Sequence, residues 1–108
     1  MFFRVDDQPE VEMLPGVTRR AVWLDRVMLT FFRFDPHAVV PQHAHANEQI
    51  SYVVAGTVEF TLGEETRILQ AGEGVCIPPH VPHAARILDR PTEIIDAWNP
   101  PRDDYKLD

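Results

Sequence analysis

Cysteine is almost missing from this chain. Cys76 stands alone, which excludes an internal disulfide and any cysteine cage for zinc, and it reads as a small buried apolar residue. Long apolar runs are missing too. The stretch Val27–Phe34 is closed in by Arg26 and Arg33, and nothing approaches the roughly 20 residues of a membrane-crossing helix, so no membrane partner is expected. The opening Met1-Phe2-Phe3-Arg4-Val5-Asp6-Asp7 lacks the basic–apolar–small order of a signal peptide, so the expected location is cytoplasmic. Basic residues are scarce: the formal charge is −7, with no basic run and no aromatic–basic patch. That excludes nucleic acid as a partner but not a small anion, because the charge at a site matters more than the total. Ten prolines cut the chain too often for long helices, and no window offers an amphipathic one.

What is present is the pattern of a small β protein. The 108 residues suffice for one domain, and 44% hydrophobic against 25% charged residues is the balance of a folded chain. Val22–Phe34, Gln49–Val54, Thr57–Leu62, Arg67–Leu69, Val75–Ile77, Ala84–Leu88 and Thr92–Trp98 read as strands. Asp35-Pro36, Ala55-Gly56, Gly63-Glu64, Gly72-Glu73-Gly74, Pro78-Pro79 and Asp89-Arg90-Pro91 punctuate them as turns. Short strands and close turns predict an all-β antiparallel sandwich or barrel. Residues 1–16 read as a lead-in segment with room for a short edge strand. Residues 17–99 read as the barrel, and 100–108 as a polar tail.

Of the five histidines, two sit at His43-Ala44-His45. On a strand, positions i and i+2 share a face, so the two rings form half a site for a divalent ion of the Zn, Ni, Fe or Mn kind. Gln49 is in phase with them and Glu48 is not, so the amide rather than the carboxylate faces the same interior. After the turn-rich segment from Gly72, Pro82-His83 returns a further imidazole. On the last strand Asp96 and Trp98 share a face, with Ile95 and Ala97 on the other. A carboxylate there needs a partner. The cation or Arg102 is one reading, and backbone hydrogen bonds at the barrel rim, with Trp98 as a core plug, are the other.

These residues carry a resemblance. His43-Ala44-His45 through Gln49 to Gly56 resembles the first cupin motif, with Gln where Glu is usual. Gly72 to His83 resembles the second, with His80 where Gly is frequent. With Ile77-Pro78-Pro79-His80-Val81-Pro82-His83 and the closing Asp96-Ala97-Trp98-Asn99-Pro100-Pro101-Arg102, the chain resembles the pectin-degradation KdgF family of small cupins. The resemblance implies a double-stranded β-helix, or jelly-roll, barrel. It implies one divalent metal ion on His43, His45, Gln49 and His83, and Asp96, Trp98 and Arg102 as the catalytic set. Trp98 replaces the Phe frequent in that family.

The implied activity is opening the ring of 4,5-unsaturated uronates to linear 5-keto-4-deoxyuronate, with a small anionic sugar acid as partner. The alternatives are a metal- or ligand-binding cupin without turnover, and a dioxygenase or isomerase on another small substrate. Neutral ligands leave the ion's charge uncompensated, which favours Lewis-acid chemistry on a carboxylate over oxygen chemistry. His37 and His80 read as surface residues, and Arg33 and Arg86 as salt-bridged wall residues. Ile50, Tyr52 and Val54 make Gln49–Val54 apolar on its second face. The lead-in segment or a second copy has to cover that face, and a homodimer is expected.

Overall fold

The structure is a computed structural model and describes residues 1–106. Ten strands form two antiparallel sheets that face each other. They are β1 (Val11–Leu14), β2 (Val17–Trp23), β3 (Met28–Phe34), β4 (Val39–His43), β5 (Glu48–Ala55), β6 (Thr57–Leu62), β7 (Glu65–Gln70), β8 (Gly74–Ile77), β9 (His83–Ile87) and β10 (Thr92–Asn99). The larger sheet runs β1-β2-β3-β10-β5-β8 and the smaller runs β4-β9-β6-β7. The all-β expectation is met. The single strand read over Val22–Phe34 is a hairpin: β2 ends at Trp23, the chain turns with Leu24 N–H donating to Val27 O, and β3 starts at Met28.

Side-chain alternation fills the space between the sheets. β3 sends in Met28, Thr30, Phe32 and Phe34; β10 sends in Thr92, Ile94, Asp96 and Trp98. From the smaller sheet come Val58, Phe60, Ala85 and Ile87. One end of this interior is apolar. At the other end the inward positions turn polar, and register decides which polar groups meet. Asp96 lies between Thr30 on β3 and Ser51 on β5, and the next row places Trp98 between Met28 and Gln49. Within the facing smaller sheet His43 pairs with His83.

Two glycines are required by close approach. At Gly56 the backbone has φ +88°, and a Cβ would collide with Thr92 Oγ1 and the Pro91 carbonyl. At Gly74 a Cβ would run into the Ser51 carbonyl, so only glycine lets β8 lie against β5 here.

The ends of the chain wrap the barrel. Phe3 rests on Phe31, with ring centroids 6.1 Å apart on the outer face of the larger sheet. The tail is not merely polar: Pro101 is buried and Tyr105 is half-buried over the open end. Asn47 donates to the Pro100 carbonyl at 2.7 Å, tying the tail to the β4–β5 connection.

Candidate metal centre and cavity

His43 ends β4, His83 begins β9, and Gln49 is the second residue of β5. His45 is on no strand: β4 stops at His43 and Ala44–Asn47 is irregular. The continuous-strand phase expected from His43 to Gln49 is therefore broken. Gln49 nevertheless points inward and Glu48 outward, because β5 restarts its own alternation. The loop that carries His45 is held by the β8–β9 connection, where the His80 N–H donates to the His45 carbonyl at 2.7 Å. His80 itself is exposed with φ +67°, in the left-handed region that explains why glycine is frequent at this motif position.

One ring nitrogen from each of His43, His45 and His83 that could serve a metal lies within 4.8 Å of the other two. Each ring spends Nδ1 on a backbone carbonyl two residues away: Pro41 O at 2.9 Å, Asn47 O at 3.1 Å and Val81 O at 2.9 Å. A carbonyl only accepts, so these Nδ1 atoms carry the protons and every Nε2 keeps a bare lone pair. His83 Nε2 is buried with no hydrogen-bond partner among the described residues. Burial lowers the His83 pKa, with the neighbouring His43 and His45 acting the same way, and burial likewise lowers that of His45.

Gln49 completes the set. Its Nε2 donates to Ser51 Oγ at 3.0 Å, which turns Oε1 toward His45 Nε2, also at 3.0 Å. With His45 protonated on Nδ1, that contact sets one acceptor against another. A shared cation resolves the conflict. The donor set fits a divalent ion: three neutral imidazoles that can hold a metal, and an amide oxygen turned to join them.

Beside this cluster lies a cavity of about 460 Å³, walled by Val17, Phe32, Phe60 and Ile94 and floored by His43, His83, Gln49 and Asp96. Asp96 is 7% exposed, its Oδ1 has no partner among the described residues, and burial pushes its pKa up to about 6 against hydrogen bonding from Ser51 and Gln49. Trp98 donates from Nε1 to Thr30 Oγ1 at 2.9 Å and sets its ring edge against His45, centroids 5.2 Å apart. Arg102 stands at the rim with its Cζ 5.2 Å from the Trp98 ring. Its fork is already engaged: Nε and Nη2 donate to the two carboxylate oxygens of Asp104 at 3.1 and 2.9 Å. Arg102 is therefore not the hydrogen-bond partner of Asp96.

Residues 30–98 match the family described as the cupin domain. Over 106 residues the chain is 30% identical to the pectin degradation protein KdgF of Dickeya dadantii, covering 96% of both chains. The chain belongs to the KdgF family of cupins. The solved structure of KdgF from Halomonas sp. is 33% identical with a TM-score of 0.93, over 98% of each chain. An RmlC-like cupin from Shewanella frigidimarina is 28% identical with a TM-score of 0.92, over 97% of this chain and 95% of that one.

Set in this cupin, the residues singled out in the sequence converge on one end of the barrel, apart from those read as surface. His37 is exposed, Arg33 pairs with Glu93 and Asp6, and Arg86 pairs with Glu59. Cys76 is a correction. It is exposed, because it pairs with Ile50 on the outer face of the larger sheet rather than with the core. Two residues of the cavity end belong to no motif of the sequence, Arg19 and Tyr105. Arg19 alternates with Val17 and Ala21 on the inner face of β2, and that alternation was the signal available. No helix among the described residues is long and apolar enough to cross a membrane.

Proposed function

We propose that this KdgF-family cupin opens the ring of 4,5-unsaturated uronates to linear 5-keto-4-deoxyuronate. The observation that carries the reading is the carboxyl of Asp96. It is buried, half unsatisfied, and opens on the same cavity as the histidine cluster, with a guanidinium at the rim. The relative named for pectin degradation suggests the substrate class. We place the work in the cytoplasm, on a sugar acid, in a barrel of residues 17–99.

The reaction is an isomerisation. The C1–ring oxygen bond breaks, the C1 hydroxyl gives up its proton as the aldehyde forms, and the resulting enol at C5 becomes a ketone as C4 gains a proton. Nothing is oxidised, so no redox partner is needed. A divalent ion on His43, His45, Gln49 and His83 would supply Lewis-acid polarisation of a substrate oxygen. The chain's own part is proton movement and placement. Asp96 Oδ1 is free to hold or deliver the proton, while Ser51 and Gln49 fix the carboxyl. Arg102 meets the substrate carboxylate, for which Asp104 now stands in. Trp98 walls the site and supports both His45 and Arg102.

The test is turnover of an unsaturated uronate by metal-loaded protein. Asp96→Asn should keep metal and fold yet lose roughly 10²-fold or more in turnover, the range for an absent general acid–base. Arg102→Ala should act mainly on KM, and Gln49→Glu should bind metal at least as well but the anion worse. Wild-type activity in Asp96→Asn ends the catalytic assignment. Metal and uronate binding without turnover leaves a binding protein.

We also read the outer face of β5 as a dimer surface. Ile50, Tyr52 and Val54 are 54%, 49% and 42% exposed, so the lead-in segment, which packs on Phe31 and shares a groove with Val54, leaves the strip open. A second copy is the natural cover for such a strip.

A further inference from the structure

Arg19 is 3% exposed in the wall of β2, and among the described residues it forms no salt bridge. What it has instead is one residue of the tail and one thioether sulfur of β1. Nη1 donates to the Tyr105 carbonyl at 2.9 Å and Cζ lies 4.6 Å from the centre of the Tyr105 ring; Nε faces Met13 Sδ at 2.9 Å. Burying a guanidinium on so little is costly, and an apolar side chain of that size would serve stability as well or better. Stability alone does not account for an arginine here.

The same Tyr105 ring holds the rim cation. Arg102 Cζ is 4.5 Å from its centre, and the Tyr105 N–H donates to the Arg102 carbonyl at 3.0 Å. Tyr105 also stands edge-on to Trp98 and to Phe32, with centroids 5.7 and 6.3 Å apart. The 3-10 turn Asp103–Tyr105 is thus a short strap across the cavity mouth, and Arg19 clasps it from within the barrel. We infer that Arg19 is a positioning residue for Arg102, acting through Tyr105. This rests on the reading of Arg102 as the group that meets the substrate carboxylate.

Without Arg19 the strap keeps its Arg102–Asp104 pair and its ring contacts with Phe32 and Trp98 but loses the hydrogen bond that fixes it to the barrel wall, so Arg102 is less firmly aimed into the mouth. Three variants separate the contacts. Arg19→Met fills the space without charge. Tyr105→Ala removes the ring, and Tyr105→Phe keeps both the ring and the carbonyl that Arg19 uses. On metal-loaded protein with unsaturated uronate, Arg19→Met and Tyr105→Ala should each raise KM about tenfold while kcat stays within about threefold. The double variant should be no worse than the worse single, since both break one chain of contacts. Tyr105→Phe should match wild type, and metal content should be unchanged in all.

A readout without substrate runs beside this one: the rate of tryptic cleavage after Arg102, followed by mass. Arg19→Met and Tyr105→Ala should be cut at least several-fold faster than wild type and Tyr105→Phe. If the wild type turns over no unsaturated uronate, the proposed function fails, and the cleavage rates still decide the role of Arg19. Wild-type cleavage in Arg19→Met, or a wild-type KM where activity exists, overturns the inference.

Discussion

A carboxyl set between Thr30 and Ser51 holds its proton more tightly than the same carboxyl in the unfolded chain, because burial disfavours the charge. In metal-free protein this couples Asp96 to folding with a definite sign. The folded-state value is raised, to about 6, so its contribution is fully present below the unfolded carboxylate range and lost as pH climbs through about 6. The shift corresponds to about 2–3 kcal/mol. His45 and His83, whose values burial lowers, act oppositely, favouring the fold as pH rises toward neutral. Comparing Asp96→Asn with wild type in chelator cancels the histidines. The melting temperature of the variant should gain on wild type from pH 5 to pH 8, and a constant gap would show that the carboxyl is not buried as described. Asp104 gives a second residue-level expectation. Its pKa is held down because the Arg102 hydrogen bonds and charge outweigh its partial burial, so it competes with any incoming carboxylate. An exposed pair of this kind is worth up to about 1 kcal/mol, so Asp104→Asn should lower KM for a uronate about two- to fivefold. A rise in KM would mean that Asp104 aims the guanidinium instead.

At the scale of elements, the β8–β9 connection carries backbone strain at an exposed side chain. His80 has φ +67° and contributes its N–H to the His45 carbonyl, a bond that glycine would preserve. His80→Gly should therefore stabilise the protein by about 0.5–1 kcal/mol with metal binding intact, checked by denaturant unfolding. Loss of metal would show that the His80 ring has a task. The same elements show why some of the site was legible in the sequence. β10 alternates strictly, so Asp96 and Trp98 announce a shared face, and the paired motif histidines mark the cluster. The break after His43 was not legible, because nothing in Ala44–Asn47 distinguishes a bend from a continuing strand. Gln49 faces inward although the strand phase leading to it is interrupted. Arg19 hid because charge normally marks an outward position, and in β2 the inward face carries it. Tyr105 hid because its burial depends on Phe32, Trp98 and two arginines brought from elsewhere in the chain.

For the whole molecule, the apolar strip on β5 sets the expected assembly. Light scattering at micromolar concentration should give twice the chain mass, and Tyr52→Lys should shift it toward the monomer; a wild-type monomer would refute the pairing. The other molecular consequence lies in where the four residues proposed to hold the metal come from. His43 and His83 belong to the smaller sheet, Gln49 to the larger, and His45 to the segment that crosses between them. An ion there is a rivet through both halves of the sandwich. Its binding energy adds to cohesion of the entire barrel, by about 4 kcal/mol at a free concentration a thousandfold above Kd. Melting should thus climb with metal concentration in wild type and stay flat in His83→Ala. Stripping the ion should let the open end of the sandwich breathe, with hydrogen exchange quickening first in β4 and in the early residues of β5 and β9, while the apolar end around Val58 and Ile87 stays shut.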